Sequence, residues 1–240
     1  MTNAELFLDH YGAIEKYLRR VYGSKGQYDT FLQLITKAEK KHSVIGYYAT
    51  DLREYGELRN AIVHNKAPDD NKIIAEPHSY VVDRMGHIRK MIEDPLKLKD
   101  IMTSPVFIAT SELSIFETAQ KMYRNIFTHV PVYDNGVFVG VLSESALLRW
   151  VGYRTEQGKV IDKTNNIKAM IKFLDQPGGK FNDFIFLPKN TLILDVRQYF
   201  DTALRQGRRL GAVFVTKTGK NSEPIEGMLT AWDLPRIELD

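Results

Sequence analysis

The sequence has no cysteine among its 240 residues. Disulfide bonds, thiolate metal sites and cysteine nucleophiles are therefore excluded. Net charge is also small, because 33 lysines and arginines stand against 30 aspartates and glutamates, which leaves a formal charge of +3. Surfaces that bind nucleic acid are usually strongly basic, so this excess does not by itself indicate one. Hydrophobic residues make up 43% of the chain and charged residues 26%, which is typical of globular proteins.

Long apolar runs are missing as well. No stretch approaches the ~18–20 apolar residues that a helix needs to cross a bilayer. The first residues, MTNAE, do not have the basic-then-apolar pattern of a secretory signal. We therefore expect a cytoplasmic protein without a membrane partner.

Familiar catalytic motifs are also absent. The sequence has neither a phosphate-binding glycine loop nor a nucleophile elbow. Five histidines are scattered without the spacing of metal ligands, and they are His10, His42, His78, His87 and His129. We therefore expect no metal site and no required cofactor.

Residues 1–93 have the periodicity of amphipathic helices. Apolar residues recur every three or four positions in four stretches, which cover residues 6–21, 28–41, 44–65 and 78–92. Glycines separate the first two stretches, and the turn sequence PDDN separates the last two. Four such helices predict a small bundle whose apolar stripes form the core.

From Asp94 the pattern changes to short strands alternating with helices. An apolar strand over residues 105–109 precedes a helix over residues 112–123. Residues 130–142 have the pattern of a β-hairpin with the turn sequence DNG, and a helix over residues 143–150 follows. Strand, helix, hairpin and helix form one module.

The same order recurs in the last quarter of the chain. The second copy has a strand, a helix, two hairpin strands and a closing helix, which are placed at residues 184–187, 192–204, 212–215, 227–229 and from 230 onward. The residues GVLS at 140–143 align with GMLT at 227–230. An internal repeat of this kind is strong grounds for a fold assignment.

We therefore predict an α+β protein with four segments. A helical bundle covers residues 1–93 and a first repeat covers residues 94–152. A linker with a short helix covers residues 153–180, and a second repeat covers residues 181–240. The short helix in the linker spans residues 167–174, and this segment is a candidate extension of the first repeat.

Motifs in the two repeats resemble the CBS domain family. Residues 100–106, DIMTSPV, resemble the approach to the first strand of that family, and residues 130–132, VPV, resemble its second strand. Residues 227–234, GMLTAWDL, match its glycine, hydroxyl and aspartate signature. The resemblance covers residues 94–240 and implies a tandem CBS pair, or Bateman module. Such a pair has two clefts for adenine nucleotides, among them AMP, ADP, ATP and cyclic di-AMP, bound as regulatory ligands.

The resemblance also implies which residues line each cleft. The first cleft takes strand and pre-hairpin residues from one repeat and the hydroxyl–aspartate motif from the other, namely Val106, Ile108, Thr128, Val130, Thr230 and Asp233. A hydroxyl at a helix start helps to hold phosphate, and an aspartate one turn later can accept hydrogen bonds from both ribose hydroxyls. Apolar strand edges offer a slot for the base.

The second cleft departs from this pattern. Its corresponding residues are Ser143, Phe184, Phe186, Arg208, Arg209 and Leu210. Ala146 stands where the first cleft has Asp233, so a hydrogen bond to a charged group, worth ~1.5–3 kcal/mol, is lost. The two arginines either neutralise phosphate or lie in a solvated loop. The sequence therefore predicts one competent site and one weak or empty site.

A separate motif lies in the helical region. Arg59, Asn60 and His64, within the sequence LRNAIVHN, resemble the active motif of the HEPN family, whose members are small helical bundles and in many cases dimeric, metal-independent ribonucleases. In that interpretation His64 is a general base, Arg59 stabilises the phosphorane charge and Asn60 orients the pair. Arg59 and His64 are five residues apart and point ~140° away from each other on an ideal helix, so a bend or a symmetry mate must bring them together.

Two hypotheses of different class follow. In the first, the chain is a homodimeric nucleotide sensor whose helical domain binds a protein or RNA partner. In the second, the helical domain is a nucleotide-regulated endoribonuclease, and Arg59, Asn60 and His64 are catalytic. If these three residues instead cap a helix or make contacts inside the bundle, only the first hypothesis applies. An accessory subunit of a barrel enzyme or a transporter is disfavoured, because neither a barrel nor a membrane segment is indicated.

Overall fold

A computed structural model describes residues 1–26, 28–64, 75–179 and 183–236, apart from the side chains of His64 and Arg236. These residues divide into two compact units, Met1–Leu96 and Lys97–Asp240. The first unit is helical, and the second combines helices with two sheets, so the mixed fold class agrees with the prediction.

The described part of the first unit contains five helices. They are α1 (Asn3–Tyr22), α2 (Phe31–Ala38), α3 (Ser43–Tyr47), α4 (Ala49–His64) and α5 (Ser79–Glu93). Capping boxes begin α1 at Thr2 and α2 at Thr30, where each threonine hydroxyl accepts a hydrogen bond from the backbone three residues later. The apolar stripes face inward, so that Phe7, Ile14 and Leu52 are fully buried.

The third predicted helix is interrupted. It is divided into α3 and α4 at Tyr48, whose backbone leaves helical geometry with φ −94° and ψ 11°. Val44 and Ile45 before the interruption and Leu52 after it are all buried. The Tyr48 hydroxyl lies 3.2 Å from Nε2 of His87 on α5.

The second unit contains two copies of one arrangement. The first copy consists of α6 (Leu98–Ile101), β1 (Ala109–Thr110), α7 (Ile115–Asn125), β2 (His129–Asp134), β3 (Val137–Ser143) and α8 (Glu144–Glu156). The second consists of a 3-10 helix (Ile167–Phe173), β4 (Asp183–Pro188), α9 (Ile193–Arg205), β5 (Leu210–Thr216), β6 (Gly227–Leu229) and a closing 3-10 helix (Ala231–Arg236).

The two sheets have the same topology, which confirms the internal repeat. The strand order is β1-β2-β3 in one sheet and β4-β5-β6 in the other. In each sheet the first pair of strands is parallel and the second pair is antiparallel. The predicted hairpin turn is confirmed too, since Asn135 and Gly136 have positive φ values of 48° and 80°, as a tight turn between twisted strands requires.

The first strand is shorter than the sequence predicts. The apolar pattern covers residues 105–109, but β1 covers only Ala109–Thr110. Pro105 has no amide hydrogen to give to a ladder, and Val106 and Phe107 line a cleft instead of pairing.

In each copy, the segment that precedes the sheet pairs with a strand of the other copy's sheet. Thr103 pairs with Met228 on β6 through backbone hydrogen bonds of 2.8 and 3.0 Å. Asp175 pairs with Val141 on β3 through bonds of 3.1 and 2.9 Å. Because Val141 and Met228 are equivalent in the aligned motifs, Thr103 and Asp175 are equivalent as well.

The segment predicted as a linker therefore has a structural role. Its short helix, observed as a 3-10 helix, places Ile167 and Met170 in the core of the first copy with no exposed surface. Leu174 and Asp175 then occupy the positions that Met102 and Thr103 occupy in the other half. Burial of these apolar residues holds the segment in place, although its first residues are polar and resemble a linker.

Candidate functional site

The residues Thr230 and Asp233 lie at the start of the closing 3-10 helix and contact each other directly. Oδ2 of Asp233 accepts a hydrogen bond of 2.8 Å from the Thr230 backbone N–H and one of 2.9 Å from the Thr230 hydroxyl. The backbone N–H of Asp233 donates to the Thr230 carbonyl at 3.1 Å. The carboxylate is consequently held in one orientation at the edge of the second sheet.

A cleft of about 530 Å³ surrounds this pair. It brings together Val106 and Thr128 from the first copy and Thr230 and Asp233 from the second, as the sequence predicts. The other lining residues are Thr103, Pro105, Phe107, Asn125, Ile126, Phe127, His129, Met228 and Trp232. We refer to it as cleft 1.

One wall of cleft 1 is aromatic. The rings of Phe107 and Phe127 stack with centroids 6.1 Å apart and an interplanar angle of 23°. The ammonium group of Lys121 lies 4.0 Å from the centroid of the Phe107 ring. Trp232 is 82% exposed, although it lies between the two motif residues Thr230 and Asp233. The cleft thus offers flat apolar surfaces beside a fixed carboxylate.

Two residues predicted for cleft 1 do not line it. Val130 has no exposed surface and belongs to the core of the first copy, because alternate residues of a strand face opposite sides of the sheet. Ile108 is 40% exposed but lies outside the cleft wall. Ile108 precedes β1, which begins at Ala109, so the strand alternation expected from the sequence does not fix its direction.

Sequence reasoning also missed several residues of cleft 1. Trp232 could have been found from its place inside the GMLTAWDL motif. Phe107 and Phe127 carried no such signal, because their stacking depends on the tertiary packing of the segments before β1 and β2. His129 joins them, with its Nδ1 2.8 Å from the Thr128 hydroxyl.

A second cleft of about 380 Å³, cleft 2, lies near the start of α8. Ser143, Arg209 and Leu210 line it, as the sequence predicts, together with Glu144 and Ser145. It adjoins cleft 1, because Thr128, His129 and Trp232 contribute to both.

The other residues predicted for cleft 2 have structural positions. Phe184 is 1% exposed and packs with Phe214, their ring centroids 5.6 Å apart. Phe186 lies beside them and contacts Phe138 of the first copy, with centroids 5.2 Å apart. These rings form an aromatic core between the sheets, so neither phenylalanine lines cleft 2. Arg208 is not among the residues that line cleft 2, and its guanidinium forms an ion pair with the buried carboxylate of Asp183.

The comparison with known families concerns the first copy. Residues 98–153 match the family model described as CBS domain. The match spans α6 to α8, and the equivalent sheet topology extends the same architecture to the second copy. We refer to the two copies as the first and second repeats. Among curated proteins no sequence matches this chain.

Solved CBS structures are similar to the chain only distantly. The CBS domain pair of protein MJ0100, solved in complex with 5′-methylthioadenosine and S-adenosyl-L-methionine, is 18% identical over 59% of this chain and 94% of that chain, with a TM-score of 0.41. The CBS-domain containing protein ATU1752 from Agrobacterium tumefaciens is 14% identical over 58% and 91%, with a TM-score of 0.42. Protein MJ1225 from Methanocaldococcus jannaschii is 20% identical over 70% and 56%, with a TM-score of 0.45. Similarity at this level carries no information about ligands or activity.

The helical unit has a groove of its own, of about 370 Å³. Arg59 and Asn60 line it, and Nη1 of Arg59 lies 3.3 Å from the side-chain oxygen of Asn60. The Arg59 guanidinium also lies 5.7 Å from the centroid of the Tyr11 ring. Burial raises the pKa of Tyr11 well above its usual range, and the positive charge of Arg59 opposes that rise. The side chain of His64, the third predicted catalytic residue, lies outside the described part of the structure.

Neither a metal site nor a membrane span is found in the part of the chain that the structure describes. No group of three histidine, aspartate or glutamate side chains there is arranged to hold a metal ion. No helix in residues 1–26, 28–64, 75–179 or 183–236 is long and apolar enough to span a bilayer.

Proposed function

We propose that the chain is a cytoplasmic, homodimeric regulatory protein whose CBS repeats bind an adenine nucleotide in cleft 1. The observation that carries this proposal is the placement of Thr230 and Asp233 from one repeat opposite Val106 and Thr128 from the other, around a cleft of about 530 Å³. Candidate ligands are AMP, ADP, ATP and a cyclic dinucleotide such as cyclic di-AMP.

The chemistry of cleft 1 suits a nucleoside. A carboxylate offers about four acceptor positions, so the two hydrogen bonds from Thr230 are compatible with further bonds from ribose hydroxyls. The exposed ring of Trp232 and the stacked rings of Phe107 and Phe127 offer faces for an adenine base. Lys121, which lies over Phe107, adds a positive charge near this wall.

Binding has a regulatory effect only under one condition. The nucleotide must bind one arrangement of the protein more tightly than another, because equal affinity for both shifts no population. The proposed output is the helical domain, which in this interpretation presents a surface to a protein or RNA partner.

A thermal-shift screen of adenine nucleotides tests the binding proposal. A ligand present at ~100 times its dissociation constant stabilises the folded protein by about 2.7 kcal/mol. In the Asp233→Ala variant we expect affinity to fall ~10–150-fold, the equivalent of a hydrogen bond to a charged group. Asp201→Ala is the matched control, because Asp201 is an exposed aspartate on α9 outside the cleft. Equal affinity in both variants would remove Asp233 from the site.

A second candidate function, endoribonuclease activity, is favoured by the shared groove of Arg59 and Asn60. In this proposal His64 acts as the general base on a ribose 2′-hydroxyl, and Arg59 stabilises the charge that develops on the phosphorus. The mechanism requires that His64 lie near Arg59, either through a bend of the helix or because the other subunit of a dimer supplies one of the two residues.

Incubation with a mixed RNA substrate tests this second function. Cleavage should be lost in His64→Ala and retained in His78→Ala, since His78 is an exposed histidine at the start of α5. Cleavage that survives His64→Ala comes from a contaminant. Adding the nucleotide found in the thermal-shift screen should change the cleavage rate if the two domains are coupled.

A further inference from the structure

The two repeats differ at three equivalent positions. The symmetry of the repeats relates Thr230 to Ser143 and Asp233 to Ala146, through the aligned GMLT and GVLS motifs. The exchanged backbone pairs relate Thr103, which pairs with Met228, to Asp175, which pairs with Val141. In cleft 1 the carboxylate beside the hydroxyl of Thr230 belongs to Asp233, three residues later. In the other half the carboxylate beside the hydroxyl of Ser143 belongs to Asp175, in the segment that precedes the second sheet.

Asp175 holds the hydroxyl of Ser143. Its Oδ2 accepts a hydrogen bond from the Ser143 hydroxyl, and its Oδ1 lies 2.7 Å from Nη2 of Arg149. The residue is only 5% exposed, so this carboxylate is buried and paired. Thr103, its equivalent, is exposed and lines cleft 1.

The Ser143 hydroxyl has three hydrogen-bonding contacts, which use its donor and both of its acceptor positions. A serine hydroxyl has one hydrogen to donate and two lone pairs with which to accept. It donates to Asp175, accepts from the Ala146 backbone N–H at 3.1 Å, and lies 2.9 Å from the Ser145 hydroxyl. The same serine is the N-cap of α8, a helix of 13 residues. The N-terminus of α8 would attract a phosphate group, but its N-cap is already bonded to the Asp175 carboxylate.

We propose that Asp175 is the residue that closes cleft 2 to phosphate-bearing ligands, and so makes the CBS pair a single-site binder. The proposal rests on the proposed nucleotide binding in cleft 1 and extends it by naming the cause of the asymmetry. Two effects combine: the Ser143 hydroxyl, which lines cleft 2, is occupied, and the start of α8 is already bonded to a carboxylate instead of being open to a phosphate group. The absent carboxylate at Ala146 is then a second deficiency of cleft 2.

Neutralising Asp175 tests this proposal. Asp175→Asn keeps the shape of the side chain and removes its charge, whereas Asp175→Thr copies Thr103 into the second half. The matched control is Asp183→Asn, because Asp183 is also a buried aspartate paired with an arginine, Arg208, but its carboxylate accepts hydrogen bonds from the backbone of Gly178 and Phe184 and not from Ser143. Calorimetry with ATP, and separately with tripolyphosphate, gives the number of sites and their affinities.

We expect one ATP per chain in the unaltered protein and in Asp183→Asn, and a second ATP in both Asp175 variants. Tripolyphosphate should bind the Asp175 variants at least about tenfold more tightly than the unaltered protein, because a like charge has been removed. A single site in every variant would overturn the proposal, and so would a second site in Asp183→Asn, which would indicate a general effect of added positive charge.

A reciprocal substitution at Thr103 tests the proposal if the buried Asp175 variants do not fold. Thr103 is exposed, so Thr103→Asp places a carboxylate in cleft 1 without disturbing the core. ATP affinity should fall at least about tenfold, whereas Thr110→Asp, on exposed Thr110 of β1, should leave it unchanged. Equal affinity in both variants would contradict the role given to this position.

These experiments distinguish an error in the proposed nucleotide binding from an error in the role of Asp175. If the proposed function is wrong, the unaltered protein binds no adenine nucleotide and Asp233→Ala changes nothing. Tripolyphosphate still reports on cleft 2 in that case, since it needs neither ribose nor base. If only the role of Asp175 is wrong, ATP binds once in all variants and depends on Asp233.

Discussion

Asp233 receives two hydrogen bonds from Thr230 on the same oxygen, Oδ2, at 2.8 Å from the backbone N–H and 2.9 Å from the hydroxyl. The hydroxyl thus orients the carboxylate, and Thr230 also lines cleft 1 itself. In the other repeat, Ser143 contacts a carboxylate from a different part of the chain, Asp175. The Thr230 hydroxyl therefore bonds a carboxylate that lines cleft 1, whereas the Ser143 hydroxyl bonds a carboxylate that is buried.

Removing the Thr230 hydroxyl should weaken nucleotide binding. Thr230→Val keeps the side-chain volume and the backbone hydrogen bond to Asp233 but loses the hydroxyl donor. We expect an affinity about tenfold lower, the equivalent of one hydrogen bond to a charged acceptor. Calorimetry measures the loss, and Thr230→Ser, which retains the hydroxyl, should bind as the unaltered protein does. Full affinity in Thr230→Val would show that the hydroxyl has no part in the site.

Nucleotide binding should change the fluorescence of one tryptophan of the two. Trp232 lines cleft 1 and is 82% exposed, whereas Trp150 is 2% exposed in the core of the first repeat. Stacking on a base shields the exposed indole, so acrylamide quenching should decrease when ligand is added. The decrease should persist in Trp150→Phe and disappear in Trp232→Phe. If quenching is unaffected by saturating ligand, Trp232 does not contact it.

Phe184 should affect stability rather than binding. Its ring is 1% exposed and packs against Phe138 and Phe214 between the sheets. Phe184→Ala leaves a cavity there and should reduce the free energy of unfolding by about 3–5 kcal/mol, as measured by urea titration. Tyr123→Ala is the control, because Tyr123 on α7 is 85% exposed and its loss should cost less than ~0.5 kcal/mol. Similar losses in both variants would mean that the aromatic core is not formed.

The loop between β5 and β6 should respond to acid at an unusually low pH. The Thr218 hydroxyl and backbone N–H donate to the Glu223 carboxylate at 2.7 and 2.6 Å, and these bonds lower the pKa of Glu223 from 4.5 to about 2. Because the folded-state pKa lies below the unfolded-state value, the stabilisation is present above about pH 4.5 and is lost as the pH falls toward 2. The side-chain carboxyl signal in an NMR titration should have its midpoint near the lower value. Thr218→Val should move that midpoint upward, and a midpoint already at the ordinary value would contradict the contact.

Local patterns predict most elements of the second unit correctly. The DNG turn requires positive φ at Asn135 and Gly136, so three letters of sequence are enough to place the hairpin. The repeat of GVLS as GMLT establishes the equivalence of Ser143 and Thr230 from the amino-acid order alone. Both are short-range properties, which do not depend on what packs around them.

Three features of the second unit can be read from the amino-acid order alone: the repeat, the hydroxyl–aspartate motif and the loss of the aspartate at Ala146. Three others depend on the folded chain, namely the core positions of Phe184 and Phe186, the pairing of Arg208 with Asp183, and the contact of Asp175 with Ser143. Each of these requires a partner that is distant in the chain, since Ser143 and Asp175 are 32 residues apart. Their contact follows from the exchange of segments between the repeats, which buries apolar residues of each segment against the other repeat and has no local signature.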